Sequence, residues 1–222
     1  MRGLVRIIAA CALSAALLGG AAAPAGAHGS GHRHGQDQRP ATYEDTAYIP
    51  PPPESLGGRF EMIDHRGVPV TDRSYPGKWL LIFFGYAACR ETCPLALGTV
   101  AEALERLGGR ADEVQPLFVD VSLDEPDLVG LEQFVGAFHP ALVGLTGTRK
   151  QIFDIGRLFR VRREYMHANY STRETGPRID HSTNLYLVDP EGVTRAYFYH
   201  DVTSRDLARI IRHHVRAGRK SR

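Results

Sequence analysis

The chain has 222 residues, with 27 Lys+Arg against 25 Asp+Glu, 10 His and 3 Cys; 43% of residues are hydrophobic and 23% charged. That length suits one well-buried domain with a tail, and a composition near globular averages excludes a wholly disordered or collagen-like chain. A formal charge of +2 leaves no basic excess to neutralise phosphates, so nucleic acid is excluded as the default partner, and three cysteines are too few to staple a disulfide mini-fold.

Arg2 and Arg6 precede an apolar run over residues 7–18, and Ala25-Gly26-Ala27 closes the segment. A basic start, an apolar stretch and an A-x-A site make residues 1–27 a signal peptide or, uncleaved, an N-terminal anchor. Cys11 precedes most of the apolar run, which argues against lipidation there. The rest of the chain is expected to be exported, to the periplasm or another extracytoplasmic space. Cleavage after Ala27 removes two arginines and no acid, leaving 25 charges of each sign. Residues 28–55 read as a His- and Pro-rich disordered linker, carrying His28, His32, His34 and the run Pro50-Pro51-Pro52-Pro53. A mature N-terminal His28 would present an amine and an imidazole together.

The domain is expected over residues 56–217, with a basic tail at 218–222. Trp79-Leu80-Leu81-Ile82-Phe83-Phe84 is continuous apolar sequence, as in a strand buried on both faces. Leu97, Val100, Ala101 and Leu104 follow helical spacing, and Gly108-Gly109 ends that helix. Leu117-Phe118-Val119-Asp120-Val121 is a second strand; Leu131, Phe134, Val135 and Phe138 mark a second helix, stopped by Pro140. Leu142-Val143-Gly144-Leu145 is short and strand-like, and Thr148 with Gln151 forms a capping box for a third helix through Phe159. Residues 160–180 are polar and irregular. The runs 184–188 and 194–198 flank Asp189-Pro190-Glu191-Gly192 and read as a hairpin. Leu207, Ile210, Ile211 and Val215 make a last amphipathic helix. Strands alternating with helices predict an α/β fold, a central mixed sheet flanked by helices.

The chemistry gathers at Cys89 and Cys93, immediately after the buried strand and at the start of a helix. An isolated pair four residues apart closes too short a loop to stabilise much as a disulfide. A helix N-terminus stabilises a thiolate through its free N–H groups and macrodipole, and Pro94 suits the first turn. Positions i and i+4 share a helical face, with Cβ atoms about 5–6 Å apart. Both sulfurs can thus bind one metal ion, or bridge after modest movement, and two thiolates favour soft ions such as Cu(I) or Zn.

Phe84-Gly85-Tyr86, the C-x-x-x-C-P of Cys89 to Pro94, Leu145-Thr146-Gly147-Thr148, Asp180-His181-Ser182-Thr183 opening a strand, and Asp189-Pro190-Glu191-Gly192 together resemble the Sco/SenC proteins over residues 56–217. These are thioredoxin-like copper proteins of the respiratory-oxidase assembly pathway. The resemblance implies a thioredoxin-like fold and a copper site made of Cys89, Cys93 and His181. That set suits three-coordinate Cu(I), and can hold Cu(II) with a further oxygen ligand. The chain departs from the family in carrying Ala88 and Arg90 around the first cysteine, where His and Pro are frequent. It also departs in the acid after the second strand, where both Asp120 and Asp124 are candidates for a supporting carboxylate.

The resemblance further implies an exported binding and transfer protein that accepts copper from other copper donors and delivers it to a respiratory oxidase subunit, without a turnover reaction. The alternative is a thiol–disulfide oxidoreductase in which Cys89 attacks and Cys93 resolves, reducing the oxidase copper-site cysteines. A thiol peroxidase is disfavoured, because Tyr86 and Arg90 stand three residues before the cysteines where a Thr or Ser is wanted. No G-x-S-x-G elbow points to a hydrolase. His65, His139, His213 and His214 are expected at the surface. Met166 and His167 fall close enough to His181 in sequence to serve copper entry. A monomer is the default.

Overall fold

The computed structural model describes residues 56–88, 92–165, 179–181 and 184–220. The segments read as a signal or anchor, Cys11 and the His- and Pro-rich linker lie outside them, as do Cys89, Arg90, Met166 and His167.

Two short strands, β1 (Glu61–Asp64) and β2 (Pro69–Thr71), open the fold as a hairpin and are followed by β3 (Trp79–Gly85). Helix α1 (Thr92–Leu107) runs into a 3-10 turn (Gly108–Glu113), then come β4 (Val114–Asp120), α2 (Leu128–Gly136), β5 (Val143–Thr146) and α3 (Arg149–Leu158). The chain continues through β6 (Arg163–Tyr165), β7 (Ile179–His181), β8 (Leu185–Val188), β9 (Thr194–Phe198) and α4 (Ser204–Lys220). Seven strands form one sheet in the order β2-β1-β5-β4-β3-β8-β9, while β6 and β7 pair separately. β3, β4 and β5 are parallel; β1 and β8 run antiparallel beside them, so the sheet is mixed.

Alternation along β3 distributes its side chains to two cores. Trp79, Leu81 and Phe83 pack with Leu97, Val100 and Leu104 of α1, Leu131 of α2, and Leu207 and Ile211 of α4. Leu80, Ile82 and Phe84 face the other way, against Ile152 and Ile155 of α3, Phe159 and Tyr186. Phe83 and Phe84 are both essentially inaccessible, each worth about 1.5–3 kcal/mol of burial. With both faces covered, β3 needs no polar alternation, which is why its sequence is continuously apolar.

Two turns repeat one device. Asp64 caps the β1–β2 turn by accepting N–H bonds from Arg66 and Val68, both at 2.9 Å, and Gly67 adopts φ +80°. Asp189 does the same for Glu191 and Val193 in the β8–β9 turn, where Gly192 sits at φ +87°. Both glycines occupy left-handed backbone that other residues adopt only at a cost. At α3 the expected capping box is present: Thr148 Oγ1 accepts from the Gln151 N–H, and Gln151 Oε1 accepts from the Thr148 N–H at 2.8 Å.

The structure differs from the sequence-based expectations in four places. The hairpin Glu61–Thr71 precedes the strand that opened the sequence reading. The stretch 160–180, read as irregular, contains β6 and begins β7; Arg163 pairs with His181 and Tyr165 with Ile179. His181 therefore closes β7 and does not open the following strand, β8. Helix α4 also runs on to Lys220, three residues into the stretch read as a basic tail.

Candidate metal centre

Cys93 is the second residue of α1 and is fully buried. Its sulfur rests over the end of β3: an ideal Cβ built on Gly85 would lie 2.8 Å from Cys93 Sγ and 2.7 Å from the Phe118 ring. A side chain at residue 85 would occupy the space that the thiol needs. Glycine inside a strand often marks such a close approach. The α1 N-terminus supplies backbone N–H groups without intrahelical acceptors close to a sulfur that is otherwise set among apolar side chains. Pro94 stands in that first turn, as the sequence predicts.

The neighbouring strand closes the same pole of the sheet. Gly85 is in register with Asp120 at the end of β4, and the Val121 N–H donates to the Gly85 carbonyl at 2.7 Å. The Asp120 carboxylate accepts the Ser122 N–H at 2.9 Å and also that of Ala87, two residues before Cys89. It therefore ties the strand leading into the cysteine segment to the loop after β4. Burial pushes the Asp120 carboxyl above the ordinary carboxylate range, against the lowering effect of those hydrogen bonds, and nearby Asp124 adds to the rise. Asp124 itself is exposed in the loop. Between the two acids left open by the sequence, Asp120 is the one joined to the cysteine segment.

β8 supplies the third edge. Leu185 pairs with Phe83, so the start of β8 lies beside the end of β3. His181 stands four residues before Leu185, within about 14 Å of it along even a fully extended chain. The described residues thus fix Cys93 and Asp120 at one pole, and bring the backbone of His181 within a short tether of that pole. Cys89 lies outside the described residues. Three further histidines have other work. His65 Nδ1 accepts the Gly144 N–H at 3.0 Å, and His139 Nδ1 accepts that of Ala141 at 3.1 Å. His214 lies beside Trp79, with ring centroids 6.2 Å apart, and like His65 and His139 is partly buried where a surface placement was expected. His213 is exposed.

The role of Gly85 was missed in the sequence, although a glycine closing an otherwise apolar strand was the available signal. Among the described residues no group of three or more His, Cys, Asp or Glu side chains could hold a metal.

A family model described as SCO1/SenC matches residues 50–216, about three quarters of the chain. The chain belongs to the SCO1/SenC family. It is 38% identical over 161 residues to "Protein sco1" of Schizosaccharomyces pombe, an alignment covering 70% of this chain and 59% of that one. It is 35% identical over 162 residues to the mitochondrial SCO2 homolog of Danio rerio, covering 72% and 57%. The chain thus spans under two thirds of the length of these relatives. Among solved structures, copper-bound ScoI of Bradyrhizobium japonicum aligns with TM-score 0.64 and 30% identity, over 72% of this chain and 99% of that one. Copper-bound ScoI of Arabidopsis thaliana aligns with TM-score 0.66 and 27% identity, over 75% and 99%. The fold is thioredoxin-like, as the resemblance implied.

Proposed function

We propose that this SCO1/SenC chain is an exported copper carrier: it holds copper on Cys89, Cys93 and His181 and delivers it to the copper centre of a respiratory oxidase. The observation that carries this reading is the seating of Cys93, a buried thiol in the first turn of α1 with a glycine kept beneath its sulfur. Copper-bound relatives of the same fold support copper as the cargo. The donor set agrees, since two thiolates and one imidazole match the ligand preference of Cu(I).

Hand-over would proceed by ligand exchange, partner thiolates displacing the three donors one at a time. A partner thiolate cannot reach a fully buried sulfur first. Complete burial of Cys93 supports its release last. Asp120 holds the segment before Cys89 through the Ala87 N–H while this happens. Both cysteines must be reduced, because a Cys89–Cys93 disulfide has no thiolate to donate. The apolar segment near the N-terminus and its A-x-A site support export, by cleavage or as an anchor.

The second reading, a thiol–disulfide oxidoreductase, is favoured by the same helix-terminal placement of Cys93, which also lowers the cost of a thiolate leaving group. One experiment separates the two. Cu(I)-loaded protein is mixed with the copper-accepting domain of an oxidase subunit, with the acceptor cysteines reduced in one sample and oxidised in another. The carrier reading predicts stoichiometric copper transfer to the reduced acceptor. Failure of that transfer, with the metal-free reduced protein instead reducing one acceptor disulfide per chain and ending as the Cys89–Cys93 disulfide, would establish the oxidoreductase.

A further inference from the structure

The outward face of α4 carries five arginines, Arg205, Arg209, Arg212, Arg216 and Arg219, spaced 4-3-4-3. At 100° per residue they fall within an arc of about 80°, and at 1.5 Å per residue the row is about 21 Å long. The opposite face is sunk in the core through Leu207, Ala208, Ile210, Ile211 and Val215. The row therefore points away from the domain; Arg205, Arg209, Arg216 and Arg219 are exposed and Arg212 is partly so. Arg209 pairs with Asp206 at 3.3 Å and Arg219 with Glu113 at 2.8 Å, while Arg212 donates to the Arg106 carbonyl. The helix has six basic residues and one acid. Taking these from the chain's 27 and 25 leaves 21 basic against 24 acidic residues elsewhere, so the positive charge is concentrated on one surface of a nearly neutral protein.

We propose that this arginine row docks the domain on an anionic phospholipid surface. Charge complementarity gives the sign: basic residues close to an anionic bilayer are attracted to it, and salt screens the attraction. The composition of the face selects lipid over a protein partner. Protein interfaces centre on anchors in which Trp and Tyr accompany Arg, and none of the exposed large hydrophobic or aromatic residues described lies on α4 beside this row. A fluid layer of headgroups needs no such anchors. Nucleic acid, the other polyanion of this kind, is set aside on the export proposed above, and the inference rests on that reading to this extent.

The orientation has a consequence for the metal centre. Arg219 bonds Glu113, next to Val114, which is in register with Trp79 at the start of β3; Cys93 sits over Gly85 at the other end of that strand. The row thus ends at the pole opposite the metal centre, and docking through it leaves that centre accessible to a soluble or membrane-bound acceptor. The inference does not depend on which ion the cysteines hold.

The test uses the full chain and its single tryptophan. Trp79 is buried under the last turns of α4, beside His214 and Gly218, and can donate excitation to dansyl-labelled lipid. The chain is reconstituted with neutral phosphatidylcholine vesicles and with vesicles containing phosphatidylglycerol. Transfer is expected to be higher with the anionic vesicles and to fall to the neutral level in high salt. The double variant Arg205→Glu/Arg216→Glu leaves the Arg209 and Arg219 pairs intact and is expected to lose the anionic increment. Arg59→Glu/Arg73→Glu makes the same change in net charge away from α4, and is expected to keep it. Circular dichroism confirms that both variants remain folded. Equal transfer with the two lipids, or equal loss in the two variants, would overturn the proposal. Binding of poly-glutamate or duplex DNA in solution without transfer to anionic vesicles would overturn it in favour of those partners.

Discussion

Cys93 and Gly85 share one space: the sulfur of the first lies 2.8 Å from where a Cβ on the second would be. The Phe118 ring closes the same space from 2.7 Å, so the thiol cannot move toward the sheet to make room. Gly85→Ala is therefore predicted to cost about 1–3 kcal/mol as overpacking, and to displace Cys93 Sγ. Urea unfolding measures the first effect and Cu(I) affinity the second. A variant with unchanged stability and unchanged copper affinity would show that the thiol is not held by this contact.

Asp120 gives a test whose sign depends on pH. Burial raises its carboxyl in the folded state. The native protein therefore binds that proton more tightly than the unfolded chain does, and this contribution to stability is fully present below the unfolded value, near 4, and lost as pH rises through the folded value. Asp120→Asn keeps an acceptor for Ser122 and Ala87 without a charge to desolvate. It is predicted to be as stable as the wild type at pH 4 and more stable at pH 7. Asp120→Ala leaves buried N–H groups without acceptors and is predicted to lose about 1–3 kcal/mol. Thermal unfolding of the three proteins across this range reads the result.

His214 and Trp79 form a reporter pair at the opposite pole. Burial pushes the His214 imidazole below its ordinary range, and His213 and Arg195 push in the same direction. The native state favours neutral His214, so its contribution to stability is present above the ordinary value of about 6.5 and lost as pH falls through the lowered one. Glu113, Asp189, Glu191 and Arg219 line the same cavity of about 930 Å³ and set the remaining local field. Protonation beside the indole is expected to quench Trp79 emission with a midpoint below 6.5. His214→Gln should abolish that step, and a step unchanged in the variant would assign it to another group.

The sequence was most legible where burial is complete or a motif is local. Trp79 to Phe84 announces a strand covered on both faces, Thr148 and Gln151 announce a helix start, and the turn at Asp189 to Gly192 announces a hairpin. It was least legible where strands carry little apolar pattern. In β1 and β2 only Met62 and Val70 are buried apolar residues, too few to show a period. β6 reads Arg-Glu-Tyr, and its partner begins 14 residues after it ends, so neither periodicity nor a short turn gives it away. The choice between Asp120 and Asp124 required the register of β4 against β3, which is a long-range fact. Cys93 at a helix start was readable from Pro94 and the preceding apolar strand, but its contact with Gly85 depends on how α1 is laid over the sheet.

The most direct measurement is a titration of the reduced protein with Cu(I) against a chromophoric competitor, alongside Cys89→Ala, Cys93→Ala and His181→Ala. The account predicts one tightly held copper per chain, lost in either cysteine variant and severely weakened in His181→Ala. Weak binding that is indifferent to His181 would contradict the three-donor site, and would leave Cys89 and Cys93 as a redox couple.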